Sequence, residues 1–167
     1  MERRMTPRNI ILSILAALLL VVNLSLPAFA AGGLAIEPSA KDKCRVCGMF
    51  VARYPDWAAE IRFTDKTSAY FDGPKDLFKY YTGMKKYDPS RDRASVSALL
   101  VKDYYSLEAM DGRDAYYVTG SGVKGPMGPE LVPFGSEDDA KGFMADHAGK
   151  RLVRFGDITR TLLNSLD

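Results

Sequence analysis

Cys44-Arg45-Val46-Cys47-Gly48-Met49 places two thiols and a thioether within one short segment, and Gly48 allows the backbone to turn tightly there. Soft sulfur donors at that density select Cu(I), Zn or cluster iron. A second CxxC or a pair of histidines is needed to complete a four-ligand structural zinc, and this chain has neither, with a single His in its whole length. The same spacing also serves a disulfide between Cys44 and Cys47, or a redox-active thiol pair. A redox pair of the thioredoxin kind usually sits between a strand and a helix start, whereas here no strand precedes Cys44. From the motif alone, structural disulfide, redox pair and soft-metal site all stand.

A second soft donor lies in Gly120-Ser121-Gly122-Val123-Lys124-Gly125-Pro126-Met127-Gly128-Pro129. Met84, Met110 and Met144 fall on apolar or helical ground, where Met fills core space. Met127 has only Gly and Pro around it and no amphipathic element to complete, so its thioether is free to approach a metal. His147, beside Gly149 at a helix end, reads as a capping or surface residue ahead of a ligand. The GSGVKG stretch lacks Walker spacing, and no Ser/His/Asp arrangement is present. Apart from the thiol pair, the sequence therefore gives no sign of an enzyme.

Composition narrows the setting. The chain of 167 residues is 47% hydrophobic and carries 23 Lys and Arg against 21 Asp and Glu, so it is neither disordered nor basic enough for nucleic acid. Arg3, Arg4 and Arg8 precede the apolar run Ile10 to Val22, and Ala28-Phe29-Ala30 follows Pro27. That pattern predicts a secretory signal peptide over residues 1–30, cleaved after Ala30. The stretch is short for a spanning helix, although an uncleaved anchor is the other reading. Without the segment, 20 of the 23 basic and 20 of the 21 acidic residues remain, and the exported protein is neutral. No Cys lies near the cleavage site to carry a lipid, so the expectation is a soluble periplasmic protein in an oxidising compartment.

The donors need elements to position them. Residues 31–43, with Gly-Gly and Pro38, read as a flexible tether, and the folded part is expected to start at Cys44. Trp57 to Phe63 and Ser68 to Phe71 read as a hairpin, followed by Asp72 as a possible cap, Pro74 in a first turn and a helix ending near Gly83. Residues 84–92 read as a loop or linker. Ala94 to Val101, Ala115 to Val118, Glu130 to Phe134 and Arg151 to Phe155 read as strands, with a helix from Ser136 to about His147 and a last helix over Ile158 to Leu166. Sliding the chain on itself so that Phe71 meets Phe134 also brings Asp76 to Asp139, Tyr80 to Phe143 and Tyr81 to Met144. The fold expected is α+β: two related ββαβ units, about 44–92 and 93–167, each a small antiparallel sheet covered by a helix.

Cys47-Gly48-Met49-Phe50-Val51, Phe71-Asp72, Val101-Lys102-Asp103-Tyr104, Asp114-Ala115-Tyr116-Tyr117-Val118, and Met127-Gly128 leading into Val132-Pro133-Phe134 with Ala140 and Phe143 together resemble the NosL family of nitrous oxide reductase accessory proteins. The resemblance runs from Cys44 to about Ile158. It implies a pair of ββαβ units and an extracytoplasmic Cu(I) carrier that serves the copper centres of nitrous oxide reductase together with a membrane ABC-type assembly complex. The ligands it implies are Cys47 and Met127, with Met49 a neighbouring candidate and Cys44 a further one. Many members are lipoproteins, and this sequence departs from them in lacking the lipidation Cys. Thiolate and thioether donors suit Cu(I), and delivery by ligand exchange needs no general acid or base. A thiol-disulfide oxidoreductase using Cys44 and Cys47 is the rival reading.

Overall fold

The alternating run before Asp65 folds as β1 (Ala59–Phe63), and after a tight turn the chain returns as β2 (Ser68–Phe71). These assignments come from a computed structural model that describes residues 34–167; the expected signal peptide and the start of the expected tether lie outside the described residues. Asp65 accepts from the Thr67 amide at 3.0 Å and shapes the turn. β1 is buried on both faces. Ile61 lies opposite Ala69 in the core, while Glu60 on the other face is held by Arg62 at 3.0 Å and by the Ser68 hydroxyl at 2.6 Å.

α1 (Pro74–Thr82) follows, with Pro in its first turn and Gly83 at its end, and buries Leu77, Phe78 and Tyr80. Its cap residue is Gly73, not Asp72, and no side chain of the cap residue bonds its first amides. Asp72 is turned elsewhere, as described below. Residues 84–92 are also not a simple loop: α2 (Met84–Tyr87) opens the stretch and buries Met84. The apolar Met84 and the ring of Tyr87, stacked 5.9 Å from Tyr80, hold this turn on the core.

β3 (Val96–Lys102) then pairs antiparallel with β1, with Ile61 opposite Leu99, and β4 (Ala109–Asp111) pairs with β3. The sheet has the order β2-β1-β3-β4. The expected boundary between 92 and 93 is therefore corrected, because the strand that follows it completes the first sheet. Backbone pairing, which a hydrophobic pattern does not specify, decides the matter.

The second sheet consists of β5 (Tyr116–Thr119), β8 (Val132–Phe134) and β9 (Arg151–Arg154), in the order β8-β5-β9. Between β5 and β8, the expected glycine-rich loop contains a small hairpin of β6 (Lys124–Gly125) and β7 (Gly128–Pro129). α3 (Glu137–Asp146) is capped by Ser136, whose hydroxyl accepts from the Asp139 amide at 3.1 Å. It covers the sheet through Ala140 and Phe143, which join Val118, Val132 and Phe134 in a small core. α4 (Arg160–Asn164) is capped by Thr159 and packs on α1.

The α+β class holds. In both sheets the first strand is central, with the second strand on one side and the strand after the helix on the other. The two halves nonetheless share their larger core. Tyr117, Leu131, Val153 and Leu163 belong to the same cluster as Ile61, Phe71 and Leu99, and the Tyr117 hydroxyl donates to the Gly112 carbonyl at 2.6 Å. Residues 34–43, part of the expected tether, are mostly exposed but tied to the domain at a few points. Ile36 is 7% exposed in that core, the Arg62 guanidinium donates to the Ala35 carbonyl, and Lys43 bridges to Phe50.

Candidate metal centre

The Cys44–Met49 segment closes on itself. The Cys44 amide donates to the Met49 carbonyl at 2.8 Å, the Gly48 amide to the Cys44 carbonyl at 3.0 Å, and Gly48 has φ +82°, a left-handed conformation in which a side chain would be strained. The Arg45 amide donates to the Tyr70 carbonyl at 3.3 Å and fixes the turn to the edge of β2. Both thiols consequently face the chain as it leaves β2 for α1.

Two carboxylates meet them there. Cys44 Sγ donates to Asp76 Oδ2 at 3.2 Å, and Cys47 Sγ lies 3.4 Å from both carboxylate oxygens of Asp72. One ligand atom from each of the four residues falls within 4.8 Å of the others. Cys44, Asp72 and Asp76 are buried, and Cys47 is half-buried and opens the cluster to the surface. Asp72 ends the strand and Asp76 sits one helical turn further on, so the β2–α1 junction aims both at the sulfur atoms.

Burial pushes the Cys44 thiol well above its ordinary range and the Cys47 thiol up to about 11, with the Asp72 and Asp76 carboxylates acting in the same direction on Cys47. Burial also raises the Asp76 carboxyl. Both thiols are free. A redox cysteine works as a thiolate in an electropositive setting; these two are held protonated in an electronegative one, which opposes the oxidoreductase reading. A cation reverses the balance, since thiolate ligation displaces the protons onto acceptors already in contact.

The structure thus brings Cys44 and Cys47 together and adds Asp72, which the sequence offers as a possible cap, and Asp76, which it singles out only for its match to Asp139. Their signal was faint: two Asp at a strand–helix junction, of which a helix end needs only one as a cap. Met49 lies in the same turn, half-buried, with the Tyr54 hydroxyl 3.9 Å from its sulfur. Met127 stands at the turn of the β6–β7 hairpin, 45% exposed, and its carbonyl accepts from Lys75 Nζ at 3.1 Å, one residue before Asp76. His147 belongs elsewhere: it ends α3, and its ring centroid is 4.4 Å from that of Phe143 in the smaller core.

The NosL family model matches residues 35–163. The copper-binding lipoprotein NosL of Stutzerimonas stutzeri is similar to this chain, with 30% identity over 149 residues that cover 77% of this chain and 69% of its own. The crystal structure of the copper chaperone NosL from Shewanella denitrificans superposes with a TM-score of 0.64 at 25% identity, over 77% of this chain and 98% of that one.

Proposed function

This chain belongs to the NosL family, and we propose that it is an extracytoplasmic chaperone for Cu(I) that supplies copper for the centres of nitrous oxide reductase. The observation that carries the copper reading is the meeting of Cys44 and Cys47 with two acceptor carboxylates inside 4.8 Å. Thiolates favour the softer, monovalent copper, and Cu(I) is satisfied by few ligands. The relatives' names, a copper-binding lipoprotein and a copper chaperone, support the same cargo. The lipoprotein relative and the apolar segment ahead of Ala30 support an extracytoplasmic setting. Delivery to nitrous oxide reductase through a membrane ABC-type assembly complex rests on the family resemblance.

Copper enters as cargo, and the chain's own groups manage the protons. Cys47 is the accessible thiol, so it meets the ion first and passes its proton toward Asp72. Cys44 follows from within, with Asp76 Oδ2 as acceptor at 3.2 Å. Met49 and Met127 are neutral donors that release no proton. Handover is then ligand exchange, with the partner's donor entering on the Cys47 side.

Anaerobic Cu(I) titration against a competing chelator tests this, with X-ray absorption to count sulfur ligands. Replacing Cys47 by Ser and Met127 by Ala together should lower affinity about 100-fold or more, at or beyond the ~10–100-fold typical of groups behind the ligands. Equal affinity in the variant and the parent would overturn the assignment.

A further inference from the structure

The N-terminus of α1 lacks a cap from its own segment, and the acceptor arrives from the other half of the chain. Glu130 Oε1 accepts from the Lys75 amide at 2.6 Å and from the Leu131 amide at 2.9 Å. The carboxylate is 3% exposed and wedged between two glycines: a Cβ on Gly73 would collide with Oε2, and one on Gly125 would come within 3.0 Å of Cγ and Oε2. Lys75 is itself 2% exposed, and its ammonium donates to the Met127 carbonyl at 3.1 Å and the Leu166 carbonyl at 3.2 Å.

Two buried polar side chains, far apart in sequence, therefore join the hairpin to the helix start. The hairpin has little else to hold it, because its two-residue strands pair only with each other among the described residues. Buried ions are costly unless satisfied, and a Met would fill the Lys75 stem's space without a charge. What the polar pair supplies instead is a fixed relation between the Met127 turn and the β2–α1 junction that carries Asp72 and Asp76.

We propose that Lys75 and Glu130 are positioning residues for the copper site, a buried clamp that holds the Met127 hairpin on the N-terminus of α1 without touching the ion. The inference rests on the Cu(I) reading above. A neutral thioether is a modest donor, and one carried on an unanchored hairpin would lose part of its contribution to ordering the segment. Anchoring beforehand removes that loss.

The test uses the full chain with Lys75→Met and Glu130→Ala, each alone and combined with Met127→Ala. In the metal-free protein, amide exchange at Gly125, Met127 and Gly128 should quicken about tenfold in both clamp variants, while β1 and β3 amides keep their protection. With Cu(I), each clamp variant should lose ~10–100-fold in affinity, and X-ray absorption should count one sulfur fewer. In the Met127→Ala background the same changes should cost little more, because the ligand they place is already gone. Losses that multiply in the double variants, or an unchanged sulfur count, would overturn the clamp while leaving the copper reading intact. A parent chain that holds no Cu(I) would overturn both.

Discussion

Cys44 Sγ and Asp76 Oδ2 stand 3.2 Å apart, the thiol donating to a carboxylate contributed by α1. With Cys47 and Asp72 as a second such pair, the metal-free centre holds two protons on sulfur beside two proton acceptors. A monovalent ion that takes both sulfurs leaves the cluster with less buried negative charge if the carboxylates accept protons than if solvent does. The site is arranged for an exchange of one cation for protons.

Apparent Cu(I) affinity should therefore depend on pH. The Cys47 thiol titrates near 11 and Cys44 higher, so at neutral pH both must lose a proton on ligation. Each proton released to solvent strengthens binding about tenfold per pH unit. Chelator competition between pH 6 and 9 should show affinity rising throughout in the Asp72→Asn, Asp76→Asn double variant, which has no carboxylate to keep the protons, and rising less steeply in the parent. A flat profile in that variant would exclude the two thiols as ligands.

Asp72→Asn should make Cys47 more reactive in the metal-free protein. The Asp72 charge raises the thiol, so its removal lowers the Cys47 value from about 11, and more thiolate is present at pH 8. Iodoacetamide should alkylate the variant severalfold faster than the parent. Rapid alkylation of the parent itself would contradict the protonated state and return weight to thiol-disulfide chemistry.

Tyr117→Phe tests how the two sheets are joined. The hydroxyl donates to Gly112 O at 2.6 Å and is fully buried, and the ring meets Phe78 edge-on at 5.3 Å. Deleting the donor strands a buried carbonyl, at about 1–3 kcal/mol. Urea unfolding should stay a single transition with a lower midpoint. Trp57, 6.1 Å from Tyr104 beside the smaller core, is a local fluorescence reporter for it. Two separated transitions would mean that the sheets fold independently.

The local structure was legible where side-chain chemistry acts over a few residues. Pro74 and Gly83 bracket α1, Ser136 caps α3, and Gly48 turns the CxxC segment as their types require. Partnership across the chain was not. The expected bounds of 44–92 and 93–167 leave β3 outside the first half, because its partner, β1, is set by backbone bonds that hydrophobic patterning does not encode. Asp72 resembled a cap because Asp before Gly-Pro usually is one; Glu130, distant in sequence, accepts from the α1 amide instead. The sulfur half of the centre was therefore readable as a motif, and the carboxylate half was visible only once the strand and helix met.

Glu130 should give folding stability a pH dependence of unusual sign for a carboxylate. Burial raises it from the ordinary 4.5 to about 8, against the opposing pull of two backbone amides and Lys75. The folded state thus binds the Glu130 proton more tightly than the unfolded chain does. Its contribution is complete below about 4.5 and is lost as pH rises toward 8, with a slope of at most about 1.4 kcal/mol per pH unit. Protonation suits the geometry, because Oε1 accepts both amides and Oε2 is left to carry the hydrogen. Glu130→Gln keeps the shape and the acceptor without the titration. Urea midpoints at pH 5, 6.5 and 8 should fall more steeply for the parent than for this variant. Parallel profiles, or a parent that gains stability over that range relative to the variant, would instead show Glu130 ionised throughout, held so by Lys75.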